Sequence, residues 1–145
     1  MIKVENATQT FGKQIVFQEV DFAIEQGERV AVVGRNGAGK TTLLHALLGF
    51  SRLKQGKITF NGKPVHKQDA WKGKLSYLPE KFQLYGQLTV KENVAFFAES
   101  FGLKSVEVER VLALTDMAEH ADKRVTSLSK GMLQRTGLSI AILGN

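Results

Sequence analysis

The chain has 145 residues, of which 43% are apolar and 23% charged, the balance of one ordinary globular domain rather than a disordered chain. It contains no cysteine, so disulfides and thiolate metal sites are excluded. Its formal charge is +6, but the lysines are scattered rather than clustered, which argues against nucleic acid as a partner.

The sequence carries no membrane or export signal. No apolar run approaches the ~20 residues that cross a bilayer. The N-terminal residues MIKVENATQT lack the apolar stretch of a secretory signal. These patterns predict a cytoplasmic protein, and they leave open a peripheral attachment to the inner face of the cell membrane through a partner.

The first part of the chain is dominated by strand patterns. Alternating apolar and polar residues in IKVENAT and IVFQEVDFAI predict an antiparallel pair. RVAVVG, Arg29–Gly34, is a continuous apolar run that predicts a central strand covered on both faces. The leucines of KTTLLHALLGF predict a helix that ends near Gly49. KITFNGKPV predicts a strand with a turn at Asn61-Gly62, and KLSYLP predicts another strand, which Pro79 ends.

After about Glu80 the patterns become helical. A capping box from Thr89 to Glu92 predicts a helix that Gly102 terminates. Three more helices are predicted: one from Ser105 through Leu114, a short one in TDMAEHAD, and one with Ser129 as its N-cap. The N-terminus of such a helix presents unpaired N–H groups that suit a phosphate.

One segment carries a phosphate-binding pattern. GRNGAGKT, Gly34–Thr41, matches GxxxxGK followed by Ser or Thr, and it stands between a predicted strand and a predicted helix. Its three glycines allow positive φ and a close approach of backbone N–H groups to phosphate oxygens. Lys40 supplies a point charge toward the β- and γ-phosphates, and the Thr41 hydroxyl is placed to ligate Mg²⁺. No guanine-reading NKxD segment occurs, so ATP is the expected nucleotide.

Taken in order, these motifs resemble those of the ATP-binding subunits of ABC transporters over the whole chain. TFGKQIVFQEVDFAIEQGE is similar to the family's opening, where an aromatic residue stacks on adenine. That position is Phe11 here, for which packing in a core is the alternative. GRNGAGKTT is close to the family's phosphate loop. LSYLPEKFQLYGQLTVKEN resembles the Q-loop region that leads into the helical subdomain, and LSKGMLQR resembles the signature motif LSGGQxQR.

The resemblance implies an α/β P-loop NTPase fold of the ABC ATPase type, with N-terminal antiparallel strands, an incomplete RecA-like core and an α-helical subdomain. Residues 1–145 would be one domain: a nucleotide-binding core in 1–80, a helical subdomain with the signature in 81–135 and a return helix in 136–145. The implied cofactors are ATP and Mg²⁺, and Lys40 would stabilise phosphate charge in catalysis. The implied nucleotide-binding residues are Phe11, Gly34, Arg35, Asn36, Gly37, Ala38, Gly39, Lys40, Thr41 and Thr42.

The signature implies a second ATPase domain. In the family two domains pair head to tail, as a homodimer or a heterodimer, and the signature of one faces the γ-phosphate bound by the other. The residues implied to contact the partner's ATP are Ser129, Lys130, Gly131 and Met132. Lys130 and Met132 replace a glycine and a glutamine of the usual pattern. The Lys130 charge either lies near phosphate or points to solvent.

Glu80 occupies the place of the usual Q-loop glutamine, which makes it an implied Mg²⁺ ligand together with Thr41. A carboxylate there would either strengthen metal binding or repel the γ-phosphate. YLPE and SKGM are most similar to bacterial exporter-type ATPases, including the subunit that serves copper-site maturation of nitrous oxide reductase.

The family pattern continues beyond GLSIAILGN into an apolar strand that ends in Asp-Glu and then to a switch histidine. His45, His66 and His120 all lie upstream, so surface or packing roles are expected for them. We therefore expect a truncated chain or fragment, with an unpaired edge beside RVAVVG, that binds ATP and hydrolyses it poorly alone.

The function that the resemblance implies is that of an ATP-binding and ATP-hydrolysing subunit, which energises a membrane permease through ATP-driven dimerisation. Two alternatives stay open: a non-catalytic, nucleotide-responsive binding module, and a soluble ABC protein that acts on the ribosome or on DNA.

Overall fold

The computed structural model describes residues 1–66, 70–71 and 74–144. The chain divides into two compact units, Met1–Lys72 and Gly73–Asn145, and each has its own apolar core. The strands and helices are β1 (Ile2–Phe11), β2 (Gln14–Ile24), α1 (Lys40–Leu47), β3 (Gln55–Phe60), β4 (Lys63–Pro64), α2 (Val90–Ser100), α3 (Ser105–Leu114) and α4 (Lys130–Ala141). Single 3₁₀ turns lie at Ala118–His120 and Val125–Ser127.

The first unit is built on an antiparallel sheet with strand order β2-β1-β3-β4. β3 and β4 are joined by Asn61 and Gly62, whose φ angles of 47° and 78° are both positive, as a tight hairpin turn requires. The predicted antiparallel pair of β1 and β2 and the predicted turn at Asn61-Gly62 are therefore confirmed. So is the helix α1, which ends just before Gly49.

The core of this unit forms where one face of the sheet meets α1. Val4 and Ala7 of β1 belong to one buried cluster with Ala46 and Leu47 of α1. Val4 and Ala7 are three residues apart, and the irregularity of the strand between them lets both side chains join that cluster. This packing fixes α1 on the sheet. The residues that precede α1 are thereby held close to the end of the β1–β2 hairpin.

Two predicted strands are wrong. Arg29–Gly34 is exposed and has no regular secondary structure, and Val33 is 87% exposed. Residues 75–79 likewise form no strand. A strand persists only where neighbouring strands satisfy its backbone N–H and C=O groups. Within the described residues, neither segment pairs with the sheet, because an apolar run indicates burial but does not by itself supply a hydrogen-bonding partner.

The second unit is helical, and its helices begin where their sequences predict. Thr89 accepts a hydrogen bond from the Glu92 backbone N–H at 3.1 Å, and the Glu92 carboxylate accepts one from the Thr89 N–H at 2.7 Å. This capping box confirms the predicted start of α2. The bounds of α3 and the Ser129 cap of α4 are confirmed as well. The short helix predicted in TDMAEHAD is reduced to one 3₁₀ turn.

Buried polar contacts fix the helices of this unit in place. Asn93 on α2 is fully buried; its amide donates to the carbonyl oxygens of Tyr85 and Thr89 and accepts from the Tyr85 N–H. The hydroxyls of Thr115, at the end of α3, and Ser139, on α4, lie 2.6 Å apart. Because buried polar groups must be paired, these bonds select one packing of α4 against its neighbours.

Among the described residues, none of the helices has both the length and the apolar character that crossing a bilayer takes.

Candidate nucleotide-binding site

The segment Gly34–Thr41 consists of a loop that ends at Gly39, the N-cap of α1, and of the first two residues of α1. The Lys40 ammonium donates hydrogen bonds to the carbonyl oxygens of Gly34 and Arg35, each at 2.9 Å. The Ala38 N–H also donates to the Arg35 carbonyl, at 3.1 Å. The lysine charge is therefore held inside the curve of the loop by backbone oxygens alone, without a carboxylate partner among the described residues.

Two glycines of the loop have positive φ angles: 80° at Gly37 and 90° at Gly39. A Cβ added at Gly39 would lie 2.5 Å from Cγ1 of Val16 on β2, so this glycine is required both by its conformation and by its contact with the sheet. Gly34, which could also adopt a positive φ, does not have one. Gly34 instead packs closely, since a Cβ there would lie 3.3 Å from the Ala38 Cβ.

The start of α1 is suited to an anion. Gly39 is its N-cap, no side chain caps it, and no acidic residue lies in its first turn. The first N–H groups of a helix have no intrahelical partner and carry the positive end of its dipole. An anion with several oxygens could accept hydrogen bonds from these groups and from Lys40 together.

A cleft of about 230 Å³ lies beside this helix start. Phe11, at the end of β1, contributes to its wall and is 59% exposed, which excludes the alternative that Phe11 packs in a core. The residues that line the cleft are Phe11, Gln14, Val16, Gly37, Gly39, Lys40, Thr41 and Thr42.

Six of the ten predicted nucleotide-binding residues thus line one cleft. The other four, Gly34, Arg35, Asn36 and Ala38, lie exposed in the adjoining loop. Gln14 and Val16 were missed by the sequence analysis. The available signal was their position just after the two-residue turn that follows Phe11, which places Gln14 opposite Phe11 in the antiparallel pair.

The predicted signature residues lie at the start of α4, in the second unit. The Ser129 hydroxyl oxygen accepts a hydrogen bond from the Met132 N–H at 3.3 Å, and no acidic residue lies in the first turn. Lys130 and Gly131 are exposed, whereas the half-buried Met132 packs on the core of this unit. A Cβ added at Gly131 would meet nothing within 4 Å.

The two predicted Mg²⁺ ligands belong to different units. Thr41 lines the cleft described above, whereas Glu80 is exposed on a second cleft, in the helical unit, that Lys130 also lines. Of the histidines, His45 is half-buried against Phe50, His66 is exposed, and His120 is half-buried.

Comparison with known proteins agrees with this geometry. The family described as ABC transporter matches residues 17–145. The Fe(3+) ions import ATP-binding protein FbpC of Fusobacterium nucleatum is 32% identical over 98% of this chain and 39% of its own length. The spermidine/putrescine import ATP-binding protein PotA of Protochlamydia amoebophila is 33% identical over 99% of this chain and 40% of its own length.

An export protein and a solved structure match as well. The cytochrome c biogenesis ATP-binding export protein CcmA of Albidiferax ferrireducens is 37% identical over 88% of this chain and 62% of its own length. A solved structure of an ATP-binding subunit of an ABC transporter matches with a TM-score of 0.77 and 29% identity, covering 99% of this chain and 62% of the other.

The chain therefore spans less than two thirds of the length of these relatives. Because they include import and export proteins, the exporter-type assignment stays a prediction. The chain belongs to the ABC transporter ATP-binding family, and its fold is that of an ABC-type P-loop ATPase.

Proposed function

We propose that this chain binds ATP with Mg²⁺ at the cleft beside α1 and acts as an ATP-binding subunit that energises a membrane permease. The observation that carries the proposal is the convergence, in one cleft, of an uncapped helix start, the Lys40 ammonium and the exposed Phe11 ring. These three features suit two parts of a nucleotide: the helix start and the lysine suit its phosphates, and the aromatic ring suits its base.

The charges of the site fit a bound Mg²⁺–triphosphate. The described residues that line the cleft include a lysine and no carboxylate, and Thr41 among them would supply a hydroxyl ligand to Mg²⁺. The bound ion would neutralise phosphate charge and polarise the phosphate oxygens. Mg²⁺ in such sites takes most of its ligands from phosphates, water and one or two carboxylates, and Thr41 would be its protein ligand on this side. The Lys40 ammonium would stabilise the negative charge that develops on the β- and γ-phosphates.

The start of α4 supports a second part of the proposal, a head-to-tail pair of ATPase domains. The Ser129 oxygen accepts the Met132 N–H, so its own hydroxyl proton remains available to donate to an anion. Gly131 has ordinary φ and open space around it, so the fold of the unit does not itself require glycine there. Its missing side chain leaves the helix start bare, which suits close approach by a nucleotide bound to a partner domain.

The helical unit also offers a surface for a membrane partner. Tyr85 and Phe96 are 50% and 44% exposed, and their rings meet edge to face at 4.9 Å. A neighbouring cleft is lined by Leu84 and Phe97. Exposed aromatic residues that flank an apolar cleft are typical of protein interfaces, which supports docking of a permease at this side of α2.

Nucleotide binding by the purified chain tests the proposal. We expect wild type to bind Mg-ATP in a calorimetric titration and Lys40→Ala to bind roughly 30-fold more weakly, because a hydrogen-bonded charge is lost from the phosphate site. Lys63→Ala is the matched control, since Lys63 is an exposed lysine of the same unit outside the cleft. Equal affinities for wild type and Lys40→Ala, or no binding by wild type, would overturn the proposal.

A further inference from the structure

The nucleotide cleft contains one amide side chain that the proposed function does not use. Gln14 is the first residue of β2, and it pairs directly with Phe11 across the antiparallel β1–β2 ladder. Directly opposed residues of such a pair project to the same face, with Cβ atoms about 4.5–5.5 Å apart. The aromatic ring and the amide therefore stand side by side, and both line the cleft.

The Gln14 amide differs from those of the other glutamines of this hairpin because it has no hydrogen-bonding partner among the described residues. Gln9 is buried, and both polar groups of its amide are hydrogen-bonded. The NH₂ group donates to the Arg52 carbonyl at 3.2 Å, and the C=O group accepts from the Lys54 N–H at 2.9 Å. The Gln18 amide donates to the Glu19 carboxylate. No contact of this kind joins the Gln14 side chain to another described residue. Its donor and its acceptor are both available to a ligand.

An amide beside a stacking ring can distinguish the purine bases. Glutamine offers a C=O acceptor and an N–H donor side by side, which match the N6 amino donor and the N7 acceptor of adenine as a bidentate pair. Guanine presents two acceptors, O6 and N7, along the same edge. Against guanine the amide makes one of the two hydrogen bonds and leaves its carbonyl facing an acceptor.

We infer that Gln14 reads the N6–N7 edge of a purine stacked on Phe11 and gives this chain a preference for adenine over guanine nucleotides. The inference rests on the proposed ATP binding and adds a residue that determines base specificity. The edge of the purine that Gln14 contacts decides whether the amide can distinguish adenine from guanine. Along the N1–C6 edge a rotated amide would pair equally well with either purine, so only contact with N7 and the group at C6 produces a preference.

The test measures the affinities of Mg-ATP, Mg-GTP, Mg-ITP and Mg-7-deaza-ATP by calorimetry for wild type, Gln14→Leu and Gln18→Leu. Wild type should prefer ATP over GTP about fivefold, the low end for a bidentate contact because the cleft is open to water. ITP should bind like GTP, since inosine has the same O6 and N7 and lacks only the 2-amino group. 7-Deaza-ATP should bind wild type more weakly than ATP, because it lacks the N7 acceptor.

Gln14→Leu should bring the four affinities together without abolishing binding, whereas Gln18→Leu, outside the cleft, should keep the wild-type ratios. Unchanged ratios in Gln14→Leu, or a wild type that binds ATP, GTP and 7-deaza-ATP alike, would overturn the inference and leave the proposed function standing. A wild type that binds none of the four would overturn both.

Discussion

The helices α1 and α4 both begin at sites where phosphate binding is proposed, and they begin differently. α1 starts at a glycine with φ of 90° and has no side-chain cap, and the lysine that follows bonds the carbonyls of its own loop. α4 starts at Ser129, whose hydroxyl accepts a backbone N–H of the first turn. Neither helix has an acidic residue in its first turn.

The difference indicates how each helix start would use an anion. The N–H groups at the start of α1 lack a capping side chain, and a lysine adds a full charge beside them, so this start should bind phosphate strongly by itself. The start of α4 already has one N–H satisfied by Ser129 and offers a hydroxyl proton and a bare glycine. It should bind an anion that a second molecule presents, and only weakly otherwise.

The largest effect is expected from Gly39→Ala. The new methyl group would sit at positive φ and within 2.5 Å of the Val16 Cγ1, so the first unit should lose about 3 kcal/mol of stability and its affinity for nucleotide. Gly37→Ala is the control, because Gly37 has the same sign of φ and nothing within 4 Å; it should cost only about 1 kcal/mol. Denaturant unfolding measures both. Equal costs would show that the contact with β2 has no role.

A smaller effect, on association alone, is expected from Gly131→Ala. Alanine favours a helix over glycine by up to about 1 kcal/mol, so the unfolding temperature should stay the same or rise. The added methyl group should weaken Mg-ATP-dependent dimerisation about tenfold, because it fills the space proposed for the partner's phosphate.

Analytical ultracentrifugation with and without Mg-ATP measures this association. Ser105→Ala, at the start of α3 in the same unit, should leave it unchanged. Normal nucleotide-dependent dimerisation of Gly131→Ala would contradict the proposed role of the α4 start.

The smallest effect is expected at the capping box of α2. The Thr89 backbone N–H, and after it the Thr89 hydroxyl, hold the pKa of the Glu92 carboxyl below its ordinary value. The ionised form is therefore favoured by folding, so its contribution is full above the ordinary pKa of glutamate and is lost as pH falls through the lowered value.

Thermal unfolding followed from about pH 6 to about pH 3 should then show a slightly steeper loss of stability for wild type than for Glu92→Gln, which keeps a capping side chain without a titrating group. Identical slopes for the two proteins would show that the capping carboxylate adds nothing to the pH dependence.

The elements that could be predicted from the sequence are those whose signals are local. Thr89 and Glu92 satisfy the first N–H groups of α2 from within a few residues, and Ser129 does the same for α4, so both starts were found. The β3–β4 turn was also predictable, because the signal for it is the Asn61-Gly62 pair within the turn itself. Arg29–Gly34 was misassigned because pairing depends on a neighbouring strand, which a run of valines does not specify.

The residues of the candidate site also differ in whether the sequence alone could identify them. The spacing of Gly34–Thr41 located the phosphate loop, and the family resemblance pointed to Phe11. Neither motif spacing nor family resemblance identifies Gln14 and Val16. Gln14 lies in the cleft because of the register of β2 against β1, and Val16 lies there beside Gly39. Predicting them would have required the position of the turn as well as the motif.

The central claim is that the uncapped start of α1 binds the phosphates of a nucleotide, and a backbone-amide NMR titration with Mg-ATP tests it most directly. The largest shifts should fall on residues 37–42 and saturate together, and in Lys40→Ala the same shifts should need roughly 30-fold more Mg-ATP to saturate. Shifts centred elsewhere in the chain, or none at saturating Mg-ATP, would contradict it.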